Sequence, residues 1–321
     1  MSRRGWLLFI AMGLIWGIPY LLIKVAVEEL APSTLVLVRT ALAAALLLPI
    51  AFARGQIRKV LARWWPLLLF TVVEICIPWL LLGFAELRLS SSLTGLLVAA
   101  VPLVGALIAL SGPAGERLGP RRLVGLLLGA AGVAALVGFQ VGAGDTWAIA
   151  AIVAVVICYA VGPVILSRSL ADLPPLSTVA VALGLAAVVY IPAGIAQAPR
   201  SWPSADVTVA VVVLAVLCTA LAFLLFFALI AEVGPARSVV ITYVNPAVAV
   251  LLGVAVLGEA FTVYTAVGFA LILGGSVLAT ARPREQVGAA AEVCDVPGAP
   301  VAAPADGLGA PARTGSVGGG P

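Results

Sequence analysis

Three ionisable residues lie inside long apolar runs of this sequence, and they are the side chains best placed to do chemistry. Glu74 stands in the middle of FTVVEICIPW, residues 70–79; Arg39 lies in the run after Pro32, and Lys24 in the run before it. A charge near the centre of a bilayer costs at least about 2.5–3.5 kcal/mol. Each residue therefore needs a partner, a cavity or a route to the membrane surface.

Glu74 lies roughly eight residues into its run, about 12 Å deep, where a short side chain does not reach the interface. We interpret it as a carboxylate that lines a central cavity and either binds a substrate amine or takes up a proton. The alternative is a protonated or paired carboxyl group that only ties helices together. Pro78, four residues later, leaves the carbonyl of Glu74 without its helical bond and predicts a bend.

Arg39 and Lys24 have long side chains that can extend towards the membrane surface. Three interpretations of Arg39 are open: contact with an anionic substrate group such as a carboxylate, an ion pair with Glu74, or a structural anchor. For Lys24, which is nearer the end of its run, the sequence favours a solvated pair with Glu28 at i+4.

Two groups of polar and aromatic residues are candidates for the substrate path. Asn245, the only asparagine, and Tyr243 form a polar patch before Pro246; the patch lines the path or makes hydrogen bonds between helices. Trp16 and Tyr20 lie at mid-depth of the first run, away from the interfacial belts where aromatic residues concentrate. They indicate a cavity wall or a packed position.

Composition indicates what surrounds these residues. The chain has 321 residues, of which 63% are hydrophobic and 10% charged, and its mean hydropathy is +1.21. Soluble domains carry about 25% charged residues, so the composition predicts a protein of the lipid bilayer. The net charge of +4 comes from basic residues between apolar runs, which indicates membrane topology and not nucleic-acid binding.

The same inventory argues against several kinds of chemistry. Histidine is absent and the four cysteines have no paired spacing, so we expect no metal site, no disulfide framework and no cofactor. The chain contains no GxxxxGK[ST] phosphate loop, which excludes ATP as the direct energy source.

The apolar runs predict an all-α integral membrane fold with ten transmembrane helices. The predicted spans lie near residues 5–27, 33–53, 66–85, 92–112, 120–140, 146–167, 176–196, 206–231, 236–257 and 262–281. Residues 282–321 are rich in Ala, Gly and Pro and predict a disordered cytosolic tail.

Basic residues between the spans predict the orientation. With the N-terminus inside, thirteen Lys and Arg residues fall in cytosolic segments and only Arg88 and Arg200 in outer loops. By the positive-inside rule, both termini are cytosolic in a multi-pass plasma-membrane protein.

The two halves of the chain resemble each other. Pro32 and Pro175 are 143 positions apart, and Pro102 and Pro246, which predict breaks in two spans, correspond after a slip of one residue. The halves, 5–140 and 146–281, hold five spans each. Because five is odd, the second half enters the membrane inverted, and inverted repeats are typical of secondary transporters.

A more specific pattern recurs in both halves. A proline and a small-residue run precede a Gly-Glu pair ending at Glu116 or Glu259, and glycines follow nine and sixteen residues later. This pattern, with Trp16–Gly17 and Arg39, resembles the EamA-type domain of the drug/metabolite transporter superfamily. The second half lacks the arginine, which suggests that the halves are not equivalent.

The resemblance implies a ten-helix carrier, often an exporter of amino acids or other small metabolites, coupled to protons or exchanging solutes. We therefore expect efflux of amino acids or amines by alternating access, with a small-molecule substrate and the lipid bilayer as partners. The alternative is an integral membrane enzyme acting on lipid or prenyl substrates. Such an enzyme would cluster His, Asp or Cys near one interface, and the lack of histidine counts against it. The sequence makes no prediction of oligomeric state.

Overall fold

A computed structural model describes residues 2–110, 119–140, 145–234 and 238–280, and this part of the chain is helical without strands. Ten helices are long and apolar enough to cross a membrane, which confirms the predicted all-α fold. Spans 1 to 10 are Arg3–Ala26, Pro32–Ala53, Trp64–Glu86, Ser91–Ile108, Pro120–Gly138, Thr146–Ser169, Pro175–Ala196, Ala205–Val233, Val240–Leu257 and Val263–Thr280. The predicted tail, 282–321, and Glu116 lie outside the described residues.

The first residues of several spans explain why the helices begin there. Spans 1, 4 and 8 follow Ser2, Ser90 and Ser204, whose hydroxyls accept a hydrogen bond from the amide three residues on. This bond satisfies one of the free N–H groups of a helix start. Spans 2 and 7 begin at Pro32 and Pro175, where a missing N–H costs nothing.

Half of the spans are interrupted, whereas spans 2, 5, 6, 7 and 10 are continuous α-helices. Span 1 is divided into Arg3–Ile15 and Pro19–Ala26, span 4 into Ser91–Val98 and Val101–Leu110, and span 9 into a 3₁₀ segment, Val239–Tyr243, and Asn245–Leu257. Spans 3 and 8 each contain a π-helical turn. A short helix, Ile57–Leu61, lies between spans 2 and 3.

The spans pack in a regular pattern of pairs: 1 with 8, 2 with 7, 3 with 6, 4 with 9 and 5 with 10. Exchanging each span for the equivalent span of the other half (1 for 6, 2 for 7, and so on) gives the same set of pairs. The pairs are held by close contacts, such as the bond of 2.9 Å that the Thr34 hydroxyl donates to the carbonyl of Gly194. Every pair therefore joins one half of the chain to the other.

Hydrogen bonds between loops and helix ends tie the two ends of the bundle. At one end, Glu259 accepts bonds from the backbone amides of Ser91 (2.6 Å) and Ser92 (2.9 Å), so its carboxylate lies at the N-terminus of span 4. Glu29 accepts a bond from the Ser204 amide, and hydrogen bonds from Ser204 hold the pKa of Glu29 below its ordinary value.

The other end of the bundle is tied between the segment after span 2 and the segment after span 6. Arg63 forms an ion pair with Asp172 at 3.3 Å, and the Lys59 ammonium donates to the carbonyl of Asp172 at 3.0 Å. These groups are exposed, so they contribute little to stability.

Replacing Gly275 with alanine is expected to destabilise the protein, whereas the same change at Gly274 is not. A Cβ at Gly275 would lie 2.6 Å from the carbonyl oxygen of Gly125 and would crowd the backbone of Gly129, while a Cβ at Gly274 would meet nothing within 4 Å. Overpacking of this kind costs about 1–3 kcal/mol, and alanine at an open helical position gains up to about 1 kcal/mol. Thermal unfolding of both purified variants measures the difference. Equal melting temperatures would contradict close packing of spans 5 and 10.

Candidate substrate site

Glu74 lies on a π-helical turn of span 3, Thr71–Cys76. The N–H of Ile77 bonds back to the carbonyl of Val72, five residues earlier, where an α-helix would bond four residues back. Pro78, which has no N–H to donate, follows directly. Single π turns inside α-helices occur frequently at functional sites, and here the turn presents the one carboxylate within the middle of span 3.

The carboxyl group of Glu74 packs against Gly162 of span 6. A Cβ at Gly162 would overlap Oε2 and lie 2.9 Å from the carboxyl carbon, so only glycine leaves room for it. Oε2 is inaccessible and has no hydrogen-bond partner among the described residues. A buried polar atom without a partner is costly; an ammonium group would supply a partner, whereas a bound proton would remove the negative charge.

Arg39 of span 2 is buried between spans 3 and 8, with 7% of its surface exposed. Its Nε donates to the Thr219 hydroxyl at 3.0 Å, and its guanidinium carbon lies 3.7 Å from the centre of the Trp79 ring. A cation above an indole ring is stabilised by the ring's electrons. The side chain thus stays inside the bundle and does not extend to the surface.

Arg39 and Glu74 are not ion-paired, but both interact with the same tyrosine. Tyr159 of span 6 interacts electrostatically with both. Tyr20 of span 1 also interacts with Arg39, and its ring lies against Gly95 of span 4. We call this group the central cluster: Tyr20, Arg39, Glu74, Trp79, Tyr159 and Thr219. In this cluster a cation and a carboxyl group lie near aromatic side chains from both halves. Neither has a charged partner within 4 Å in the part of the chain that the structure describes.

Span 8 contains the second π-helical turn, Val216–Leu221, which begins 145 positions after the first (216 − 71). The same offset relates Glu74 to Thr219. The Thr219 hydroxyl donates to the carbonyl of Leu214 at 2.8 Å while it accepts from Arg39. The position that carries a carboxyl group in one half therefore carries the arginine's hydrogen-bond acceptor in the other.

Each π turn is bonded by the second span of the opposite half. Arg39 of span 2 reaches Thr219 in span 8, and the Tyr190 hydroxyl of span 7 donates to the carbonyl of Cys76 in span 3 at 2.9 Å. Sequence reasoning missed Thr219, Trp79, Tyr159 and Tyr190. The repeat offset of 143 to 144 residues places the counterpart of Glu74 at Leu217 or Cys218, next to Thr219.

The polar patch of span 9 makes hydrogen bonds between helices. With its nitrogen turned towards the neighbouring carbonyls, the Asn245 amide donates to Ile241 at 3.0 Å and to Gly13 of span 1 at 3.1 Å. The Tyr243 hydroxyl lies 3.0 Å from that of Thr280 in span 10. The bonds to Gly13 and Thr280 join span 9 to spans 1 and 10, whereas the bond to Ile241 lies within span 9.

The remaining predicted residues lie at interruptions or packed positions. Trp16 packs on span 8, with ring centres 6.0 Å from Phe223 and 4.7 Å from Phe226. Pro102 and Pro246 are each the second residue of a new helical segment after a break, in spans 4 and 9. Proline suits such a position because the first N–H groups of a helix have no internal partner.

The expected pair of Lys24 and Glu28 is not what the structure shows. The Lys24 ammonium donates to the carbonyls of Glu86 at 2.5 Å and Leu89 at 3.0 Å, at the C-terminus of span 3. A cation is favoured there because the last carbonyls of a helix have no internal partner. Among the described residues, no three His, Cys, Asp or Glu side chains are grouped to hold a metal ion.

Ten apolar spans in two packed halves, with charged groups held where the halves meet, are the features of a polytopic membrane transporter. The EamA-like transporter family matches the chain twice, over residues 3–138 and 146–281. The chain therefore belongs to the EamA-like transporter family.

Similar proteins agree with this assignment. The chain is 28% identical over 272 residues to the "Uncharacterized inner membrane transporter YedA" of Escherichia coli K12, covering 84% of this chain and 88% of YedA. The YedA proteins of two other E. coli strains, O6:H1 and O157:H7, match equally. A solved structure described as "Crystal structure of protein" is similar with a TM-score of 0.63 and 25% identity, covering 87% of this chain and 98% of that one.

Proposed function

We propose that this protein is a secondary active transporter that exports small metabolites, such as amino acids or amines, by alternating access. Proton coupling or exchange of solutes supplies the energy. The observation that carries the proposal is the central cluster, where Arg39 and Glu74 each lack a charged partner although both are held inside the bundle. Charged groups within membrane spans mark substrate and ion pathways by default.

The chemistry of the cluster suits a zwitterion or an amine. The guanidinium of Arg39 presents planar donors that match a carboxylate, and Glu74 accepts from an ammonium group. The hydroxyls of Tyr20 and Tyr159 offer neutral hydrogen bonds, and the Trp79 ring forms an apolar wall. An amino acid would engage both charges, whereas a simple amine would engage Glu74 alone.

Alternating access follows from the pairing of the halves. If the halves 5–140 and 146–281 are inverted repeats, they exchange inward-open and outward-open shapes around a site near the midplane. The five pairs of spans, 1 with 8, 2 with 7, 3 with 6, 4 with 9 and 5 with 10, are those expected from two related halves, and they support this proposal. The π turns of spans 3 and 8 are the places where these helices can change pitch.

The orientation belongs to the same proposal. The excess of Lys and Arg in one set of loops favours cytosolic N- and C-termini in the plasma membrane. The inner-membrane description of YedA agrees with that location. Glu86 and Glu259 then lie at the outer end of the bundle, and Arg63 and Asp172 at the inner end.

Purified protein in liposomes that enclose a pH-sensitive dye tests the proposal. We expect at least one amino acid or amine of a panel to drive proton movement, or to exchange with preloaded solute, in protein-containing liposomes only. Protein-free liposomes are the control. If no solute moves and the protein instead modifies added lipid or prenyl substrates, as detected by mass spectrometry, the enzyme alternative is favoured.

A further inference from the structure

Glu86, the last residue of span 3, is a second carboxyl group buried in the bundle. Its side chain has 0% exposure, and neither carboxyl oxygen has a hydrogen-bond partner among the described residues. It lies about two helical turns from Trp79 and therefore from Arg39 and Tyr159 of the central cluster. The groups that interact with it electrostatically are Lys24 and Tyr20 of span 1 and Glu259 from the segment between spans 9 and 10.

The charged neighbours of Glu86 are already bonded elsewhere. The Lys24 ammonium donates to the main-chain carbonyls of Glu86 and Leu89, and no ion pair within 4 Å joins it to the Glu86 carboxyl group. Glu259, which carries the same charge as an ionised Glu86, is held by the amides at the start of span 4. A buried carboxylate without a partner is far costlier than the neutral acid. This arrangement therefore favours a bound proton.

The corresponding residue of the other half is in a different environment. Glu232, at the end of span 8 and 146 positions after Glu86 (232 − 86), is exposed and accepts a hydrogen bond from the Ser2 hydroxyl. One end of the bundle thus seals its carboxyl group away from water, while the other end leaves it in water. If the sealed end opened, Glu86 would gain the solvation that Glu232 has here.

We propose that Glu86 is a proton-binding site that holds its proton while the end of the bundle formed by spans 1, 3 and 4 is closed and releases it to water when that end opens. The site is distinct from Glu74, although Tyr20 of the central cluster also interacts with Glu86. The proposal rests on the proposed alternating-access cycle. Because the closed state binds one more proton than the open state, a rise in pH shifts the equilibrium towards the open state, by up to about tenfold per pH unit.

A cysteine at Thr94 reports on opening. Thr94 is fully buried in the first turns of span 4, and the change to cysteine is small. The Thr94→Cys protein, with Cys294 replaced by serine, is placed in lipid nanodiscs, where both faces meet the same buffer, and is labelled with a maleimide over a range of pH. Each rate is divided by that of an exposed Ser201→Cys protein, so that the pH dependence of thiol ionisation cancels. A Cys294→Ser protein with neither introduced cysteine gives the background labelling of the native cysteines.

We expect the normalised labelling rate to rise with pH when Glu86 is present and to be slow and independent of pH in Glu86→Gln. The matched change Glu232→Gln should keep the pH response. A normalised labelling rate that does not change with pH when Glu86 is present would overturn the proposal, and this result does not depend on the folding of a Glu86 variant. An unchanged pH response in a folded Glu86→Gln protein would overturn it as well.

The outcome also separates this site from the proposed function. Labelling that depends on pH through Glu86, in a protein that moves no solute in liposomes, supports the proton site and contradicts the transport proposal. Solute flux with a flat labelling rate supports transport and overturns the proton site.

Discussion

The Glu74→Gln variant is expected to lose proton-coupled flux and to bind amine-bearing substrates about tenfold to a hundredfold more weakly. The amide keeps the shape that packs against Gly162, but it has no negative charge and takes up no proton. A hydrogen bond to a charged group is worth about 1.5–3 kcal/mol, which corresponds to this range of affinity. Stability should change little, because Oε2 has no partner to lose among the described residues.

The measurement combines solute-driven proton flux in liposomes, substrate affinity and melting temperature. Glu28→Gln is the matched control, because it makes the same chemical change at an exposed position between spans 1 and 2. If Glu74→Gln couples and binds like the wild type, Glu74 is structural. If it instead unfolds at a much lower temperature, the carboxyl group ties helices, as the alternative interpretation holds.

The ten spans could be predicted from sequence because the bilayer restricts the possible structures. A spanning helix needs roughly 20 apolar residues and satisfies its own backbone, so composition alone locates it. The two-half organisation was also visible: Pro32 and Pro175, 143 positions apart, begin helices of 22 residues each, Pro32–Ala53 and Pro175–Ala196.

The π turns could not be predicted, because no residue type marks them. Pro78 indicated a disturbance in span 3, but the π turn of span 8 contains no proline. The Thr219 hydroxyl in that turn donates to the carbonyl of Leu214, a contact that the sequence does not show. The environment of Arg39 was hidden for a related reason. Whether a long cation extends to the surface depends on its neighbours, and only the packing of spans 3 and 8 around it supplies Trp79 and Thr219.

Glu86 and Lys24 show the same limit at the end of a span. Each stands close to a predicted membrane surface, where a charge is expected to be solvated. The closing of spans 1, 3 and 4 around Glu86 removes it from water, and the carbonyls at the end of span 3 draw Lys24 away from Glu28. Both outcomes depend on contacts between spans that are distant in sequence.

Replacing Arg39 with lysine is expected to reduce transport of amino acids about tenfold to a hundredfold while leaving simple amines much less affected. Lysine keeps the positive charge but lacks the planar donors that match a carboxylate and the flat surface that stacks on Trp79. The expected size again follows from about 1.5–3 kcal/mol for a lost bond to a charged group. Initial rates over a range of substrate concentrations, for solutes with and without a carboxylate, give the comparison, and Arg88→Lys at an exposed position is the control.

A second substitution, Thr219→Val, tests how Thr219 acts on Arg39, because it removes the hydroxyl that accepts the hydrogen bond from the Arg39 Nε. If Thr219 acts by aiming the guanidinium, the double variant Arg39→Lys/Thr219→Val should transport amino acids no worse than Arg39→Lys alone, because residues in contact are not additive. Additive losses would mean that Thr219 acts independently. Equal losses for amino acids and amines, accompanied by a lower melting temperature, would make Arg39 an anchor between spans 3 and 8. Loss confined to carboxylate-bearing solutes would place the substrate carboxylate at Arg39. Thr219, supplied by the opposite half of the chain, would then be the residue that orients the Arg39 guanidinium towards that carboxylate.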